Sequence, residues 1–164
     1  MPFAESRRRC CPKARRVNPI GDSAAIRALA DAGHRKLPLD QVVRARDHGV
    51  SSEYARDMRQ LGYGVPIDEL IRARDHGVTA EFVREMVALG YSKLPLESLI
   101  RVRDHGVTPA YVREVKALGY DQVAIEDLVT LRDHGLTADR IKAANARAGT
   151  RLPIDMLKSF IGLR

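Results

Sequence analysis

Histidine beside aspartate is the pairing in this sequence that most invites chemistry, and it recurs. Arg-Asp-His-Gly stands at 46–49, 74–77, 103–106 and 132–135. Imidazole and carboxylate are metal ligands and general acid–base groups. Ligands of one ion must converge within a few ångströms, whereas equivalent residues of successive packed helices lie roughly 10 Å apart. His48, His76, His105 and His134 would therefore form a ladder too widely spaced to share an ion. Within one motif, neighbouring residues on a helix point about 100° apart. A catalytic centre is normally a single asymmetric cluster, and this motif stands four times in equivalent settings. HExxH, CxxC, a Gly-rich phosphate loop and a nucleophile elbow are absent. Ser51, Ser52, Ser92 and Ser98 have no nucleophile context. The reading is that the chain is not an enzyme, with no catalytic, metal-ligating or cofactor-binding residue and no cofactor.

The motif makes sense as part of a larger repeat. Its glycines, Gly49, Gly77, Gly106 and Gly135, are 28, 29 and 29 residues apart, and a second glycine follows each one: Gly62, Gly90, Gly119 and Gly149. A fixed period of this length signals stacked supersecondary units. One unit reads VPIDELIRARDHGVTAEFVREMVALGYSK, from 65 to 93.

Each unit divides into two helical halves. In the first, Ile67, Leu70, Ile71 and Arg74 recur at helical spacing. Pro66 suits the helix start, and Asp68 and Glu69 complement the positive end of the macrodipole. Gly77 suits the left-handed residue that ends a helix. In the second half Thr79 is the N-cap, and Phe82, Val83, Met86 and Leu89 form the apolar stripe. Matched positions agree: Tyr54, Phe82 and Tyr111; Met58, Met86 and Val115; Tyr63, Tyr91 and Tyr120. Helices this short are marginal alone, so neighbouring units must bury the stripes.

The expected fold is all-α: a short α-solenoid of stacked helix-turn-helix hairpins with about ten short helices, right-handed by analogy with other such stacks. Units are expected at about 37–64, 65–93, 94–122 and 123–151, with capping helices at 22–33 and 152–163. Residues 1–21 form a basic tail expected to be disordered, and 22–164 the repeat domain.

In this frame Arg46, Asp47, Arg74, Asp75, Arg103, Asp104, Arg132 and Asp133 are inter-repeat residues. A carboxylate in the last turn opposes the macrodipole, so each aspartate needs a partner. The two expected partners are the free amides that open the next helix and an Arg of an adjacent unit.

Charge is unevenly distributed. Of the net +7, residues 1–21 carry +5, from six basic groups (Arg7, Arg8, Arg9, Lys13, Arg15, Arg16) against Glu5, which leaves +2 for the rest. The tail could bind nucleic acid, a membrane surface or an acidic protein. Arg56, Arg84, Arg113 and Lys142 form one basic row, and Arg44, Arg72 and Arg101 another. The interspersed acids Glu53, Asp57, Glu81, Glu85 and Glu114 favour a solvated, paired face over a phosphate-binding groove. Cys10 and Cys11 are adjacent and have no other cysteine to pair with. No apolar run reaches membrane-spanning length and no secretory h-region follows the N-terminal charges, so a cytoplasmic location is expected.

The phrases VTPAYVREVKALGY and VAIEDLVTLRDHG (107–120 and 123–135) resemble short helical repeats of many bacterial proteins. Some of these sit beside BlaR/MecR-type antirepressor metallopeptidase domains. The resemblance spans about residues 22–161. It implies a repeat module with a regulatory or sensory role; the peptidase HExxH and transmembrane segments are absent, so no catalytic residue carries over.

The expected function is that of a scaffold binding a protein or peptide. Contacts are sought among residues that vary between units at one position, Arg59, Val87, Lys116 and Asn145, and in the row Arg56, Arg84 and Arg113. The alternative is nucleic-acid binding through the Arg rows and tail.

Overall fold

Glycine and a following Ser or Thr cut the chain into helices too short to stand alone, and the computed structural model shows how they support one another. It describes residues 19–159; the expected basic tail falls almost wholly outside them. Among the described residues there are ten helices and no strand. They are α1 (Pro19–Asp31), α2 (Leu39–Asp47), α3 (Ser52–Gln60), α4 (Ile67–Asp75), α5 (Ala80–Ala88), α6 (Leu96–Asp104), α7 (Pro109–Ala117), α8 (Ile125–Asp133), α9 (Ala138–Ala148) and α10 (Ile154–Ser159). The order is a lone second-half helix, four pairs, and a lone first-half helix. The first helix begins at Pro19, three residues before the start expected from the alanine-rich pattern, at a residue suited to a first helical turn.

Two layers result. Helices α1, α3, α5, α7 and α9 each pack on the next in one layer, while α2 packs on α4 and α8 on α10 in the other. The second-half helices α3, α5, α7 and α9 start on a side-chain cap: Ser51, Thr79, Thr108 and Thr137 accept the amides of Tyr54, Phe82, Tyr111 and Arg140. The first-half helices α2, α4, α6 and α8 end in the same double bond. In the second unit the Gly77 amide donates to the Arg74 carbonyl and the Val78 amide to the Ala73 carbonyl. Gly77 sits at φ +73, where a Cβ would be strained.

The core runs unbroken between the layers. Leu70, Leu99 and Leu128 from the first-half helices and Met58, Met86 and Val115 from the second-half helices are all essentially inaccessible. No helix among the described residues is long and apolar enough to cross a membrane.

Candidate functional site

The RDHG motif lies where the first helix of each unit turns into the second. Its aspartate is the last helical residue and its histidine is the C-cap. The aspartate's partner is the histidine of the preceding unit. His48 Nδ1 meets Asp75 Oδ1 at 2.8 Å, His76 meets Asp104 at 2.8 Å, and His105 meets Asp133 at 2.6 Å. A carboxylate only accepts, so Nδ1 carries the proton and donates.

This replaces both expected partners for a physical reason. The amides opening the next helix are already capped by Ser or Thr, and the motif's arginine is turned over a ring. Both members of each pair are 36–45% exposed, so each contributes under about 1 kcal/mol and acts mainly to fix register. Among the described residues no three His, Cys, Asp or Glu side chains converge on one point.

The arginine makes a second latch. Arg74 lies 5.3 Å from the centre of the Tyr54 ring, Arg103 5.2 Å from Phe82 and Arg132 5.2 Å from Tyr111. Each ring belongs to the preceding unit, so one side chain supplies cation–π attraction and covers apolar surface. Arg132 Nε also donates to the Gly106 carbonyl at 3.1 Å. The tyrosine hydroxyls reach forward: Tyr54 donates to the Val78 carbonyl (2.9 Å) and Tyr111 to that of Leu136 (2.8 Å). Burial pushes both phenols up to about 12, against the opposing pull of Arg74 and Arg132. In the last unit Arg140 stands at the aromatic position and donates to the Gly135 carbonyl at 3.0 Å. Arg46 and Asp47, the first-unit members of the motif, are engaged as well.

The basic rows are largely neutralised across units. Arg44 pairs with Asp68 (3.0 Å), Arg72 with Glu97 (2.8 Å) and Arg101 with Glu126 (2.8 Å). In the other layer Arg84 pairs with Asp57 (2.6 Å) and Arg113 with Glu85 (3.0 Å). Arg56 and Lys142 stay exposed.

The opposite edge, where each second helix leads into the next unit, is built differently. Tyr63, Tyr91 and Tyr120 donate to the carbonyls of Leu94 (2.8 Å), Val123 (2.7 Å) and Leu152 (2.7 Å). Burial raises Tyr63 and Tyr91 as phenols. Lys36 and Lys93 hold left-handed conformations in two of these turns (φ 61 and 60), unusual for residues with a side chain.

Four depressions follow this edge, one per junction. Their volumes are about 610 Å³ beside His34 and Pro66, 440 Å³ beside Tyr63 and Leu96, 620 Å³ beside Tyr91 and Gln122, and 400 Å³ beside Tyr120 and Pro153. Of the residues chosen for varying between units, Arg59 and Lys116 line two of these depressions. Arg59 donates to the Ala32 carbonyl (3.4 Å), and Lys116 donates to that of Asp121 while covering the Tyr91 ring. Burial, then the Arg59 charge, lowers His34 below its usual value. Asn145 Oδ1 accepts from the Leu152 amide (2.9 Å) and lies 3.1 Å from the Tyr120 hydroxyl oxygen, while Val87 is 41% exposed.

Sequence reasoning missed the His–Asp pairs and the tyrosine hydroxyl contacts. The signal was the period itself: residues about 28 apart are lateral neighbours, so a donor and an acceptor at that separation are candidates for pairing. Comparison with known proteins finds no matching family model, no similar curated protein and no similar solved structure.

Proposed function

We propose that the chain is a non-enzymatic repeat scaffold that binds a protein or peptide along the edge carrying the four depressions. The observation that supports this most is the row itself. A recess recurs at each junction, partly apolar and edged with main-chain groups, and its lining changes from unit to unit. A repeated array of this kind accepts an extended chain, with successive side chains entering successive recesses. A regulatory role, as the resemblance implies, and a cytoplasmic setting accord with this reading. The RDHG groups serve as joints between units. The nucleic-acid alternative draws less support, because five of the arginines in the two rows are in ion pairs with a neighbouring unit.

The test is selection of peptides from a random library on the folded chain. The reading expects binders whose affinity falls about tenfold, near 1.4 kcal/mol, on Arg59→Ala or Lys116→Ala. Exchanging Asp75 for Asn on the RDHG edge, where it lines none of the four depressions, should leave the same peptides bound. Binding confined to generic DNA or RNA, weakening steeply with salt, would favour the alternative instead.

A further inference from the structure

The two ends of the array are complementary halves of one unit. Among the described residues it begins with a second-half helix, α1, without a first-half companion, and closes with a first-half helix, α10, without a second-half companion. Inside the array each first-half helix uses one side toward the unit before it: Asp68 reaches back to Arg44, Asp75 to His48, and Lys158 to Asp127. Among the described residues, α2 has no first-half helix against that side. Leu39 is 47% exposed there, whereas its counterpart in the next unit, Ile67, is 3% exposed.

The far end shows a matching change. On the side facing the following unit, α2, α4, α6 and α8 carry Gln41, Glu69, Ser98 and Asp127 at one position, all polar. The same position in α10 holds Met156, 53% exposed. In the other layer Asp57, Glu85 and Glu114 face forward, and α9 holds the exposed Ala143 at that place. Both helices of the end face thus turn from polar to apolar at the last unit. A terminal cap that keeps repeats apart does the opposite. Leu39 and Met156 are two of the three large apolar side chains most exposed among the described residues.

We infer that copies of this chain associate end to end, α10 of one copy stacking on α2 of the next. Helix α10 of one copy and α1 of its neighbour together complete a fifth unit. Met156 packs on Leu39 and Val43, while α1 covers Ala143. The contact is heterologous, so it adds copies in a row rather than closing a two-fold pair. It is independent of the depressed edge, which stays open along every copy.

Sedimentation and light scattering of the full chain, from micromolar to millimolar, test this. Association should grow with concentration, and Leu39→Glu or Met156→Glu should each weaken it at least tenfold while the far-UV circular dichroism keeps its helical signal. In a Cys10→Ser, Cys11→Ser background, a Leu39→Cys chain mixed with a Met156→Cys chain should form mixed disulfides in preference to like-with-like ones. Because the cross-link leaves one member of each apolar pair unaltered, it also covers the case in which a glutamate disturbs α10. A chain that stays monomeric throughout overturns the inference. So does preferential 39–39 or 156–156 linkage, or association that disappears on deleting residues 1–18, which would make the tail the occupant of the α2 face.

Discussion

The two edges of this solenoid both reverse the chain between successive helices but use their side chains in opposite ways. On the RDHG edge the same letters recur unit after unit, and nearly every polar group is consumed between neighbours: imidazole on carboxylate, guanidinium on ring, phenol on carbonyl. On the other edge the phenol-to-carbonyl bond recurs, but the residues around it change. Arg59, Val87, Lys116 and Asn145 occupy one position with four different chemistries. Sequence identity between units therefore marks where the protein binds itself, while two of the varied residues, Arg59 and Lys116, border open recesses. A repeated His-Asp motif can look catalytic and yet be a joint.

Alkaline titration should give the largest effect, and the RDHG edge, where the phenols are raised furthest, should dominate it. Tyr54 and Tyr111, on the RDHG edge, ionise near 12 when folded against about 10 unfolded. Both are neutral in either state below pH 10, so their contribution is complete there. Between 10 and 12 the unfolded chain sheds protons that the folded chain keeps, and stability falls. The loss is on the order of 2 kcal/mol per tyrosine. Urea unfolding across that range should show a shallower decline in Tyr54→Phe/Tyr111→Phe; an unchanged decline would place the loss elsewhere. Phe82 shows that the position accepts a ring without a hydroxyl.

Next in size is Gly77→Ala, which forces a Cβ into a left-handed turn 3.3 Å from the Arg103 guanidinium. A loss of about 1–2 kcal/mol is expected by denaturant unfolding. Arg103→Ala uncovers the Phe82 ring and should cost about 1 kcal/mol; a neutral result would mean the guanidinium only rests there. Asp75→Asn with Asp104→Asn takes the charge from two exposed pairs and should lower stability by about 1 kcal/mol in total, seen as a small fall in Tm. Val87→Ser, on the varied edge, should change stability by less than about 0.5 kcal/mol. A large effect there would erase the distinction between the edges.

The fold was legible because its signals are local and repeated. Apolar spacing at 3.6, Thr79 as cap and Gly77 as stop each act within a few residues, and four copies make each one visible. The pairing of side chains was less legible, because it depends on the tilt of one unit on the next. Asp75 was set against nearby amides or an arginine; the amides were already capped by Thr79, and the partner lay at His48, 27 residues back. The acid partners of Arg84 and Arg113 were legible, since Asp57 and Glu85 stand out as alternating charges. Those of Arg44 and Arg72 lie at the start of the next unit, where Asp68 and Glu97 also suit the helix dipole, so their second role was hidden by their first.

One substitution in the aromatic series has a mechanical consequence. Phe82 has no hydroxyl, so the tie that Tyr54 makes to Val78 and Tyr111 to Leu136 has no counterpart to Val107. The arginine over Phe82 also keeps a buried Nε without a partner. The joint between the second and third units is thus short of a fastening, midway along the stack. Pulled from its ends or bent over a partner, the molecule would open more readily there than at the joints on either side, which Tyr54 and Tyr111 tie.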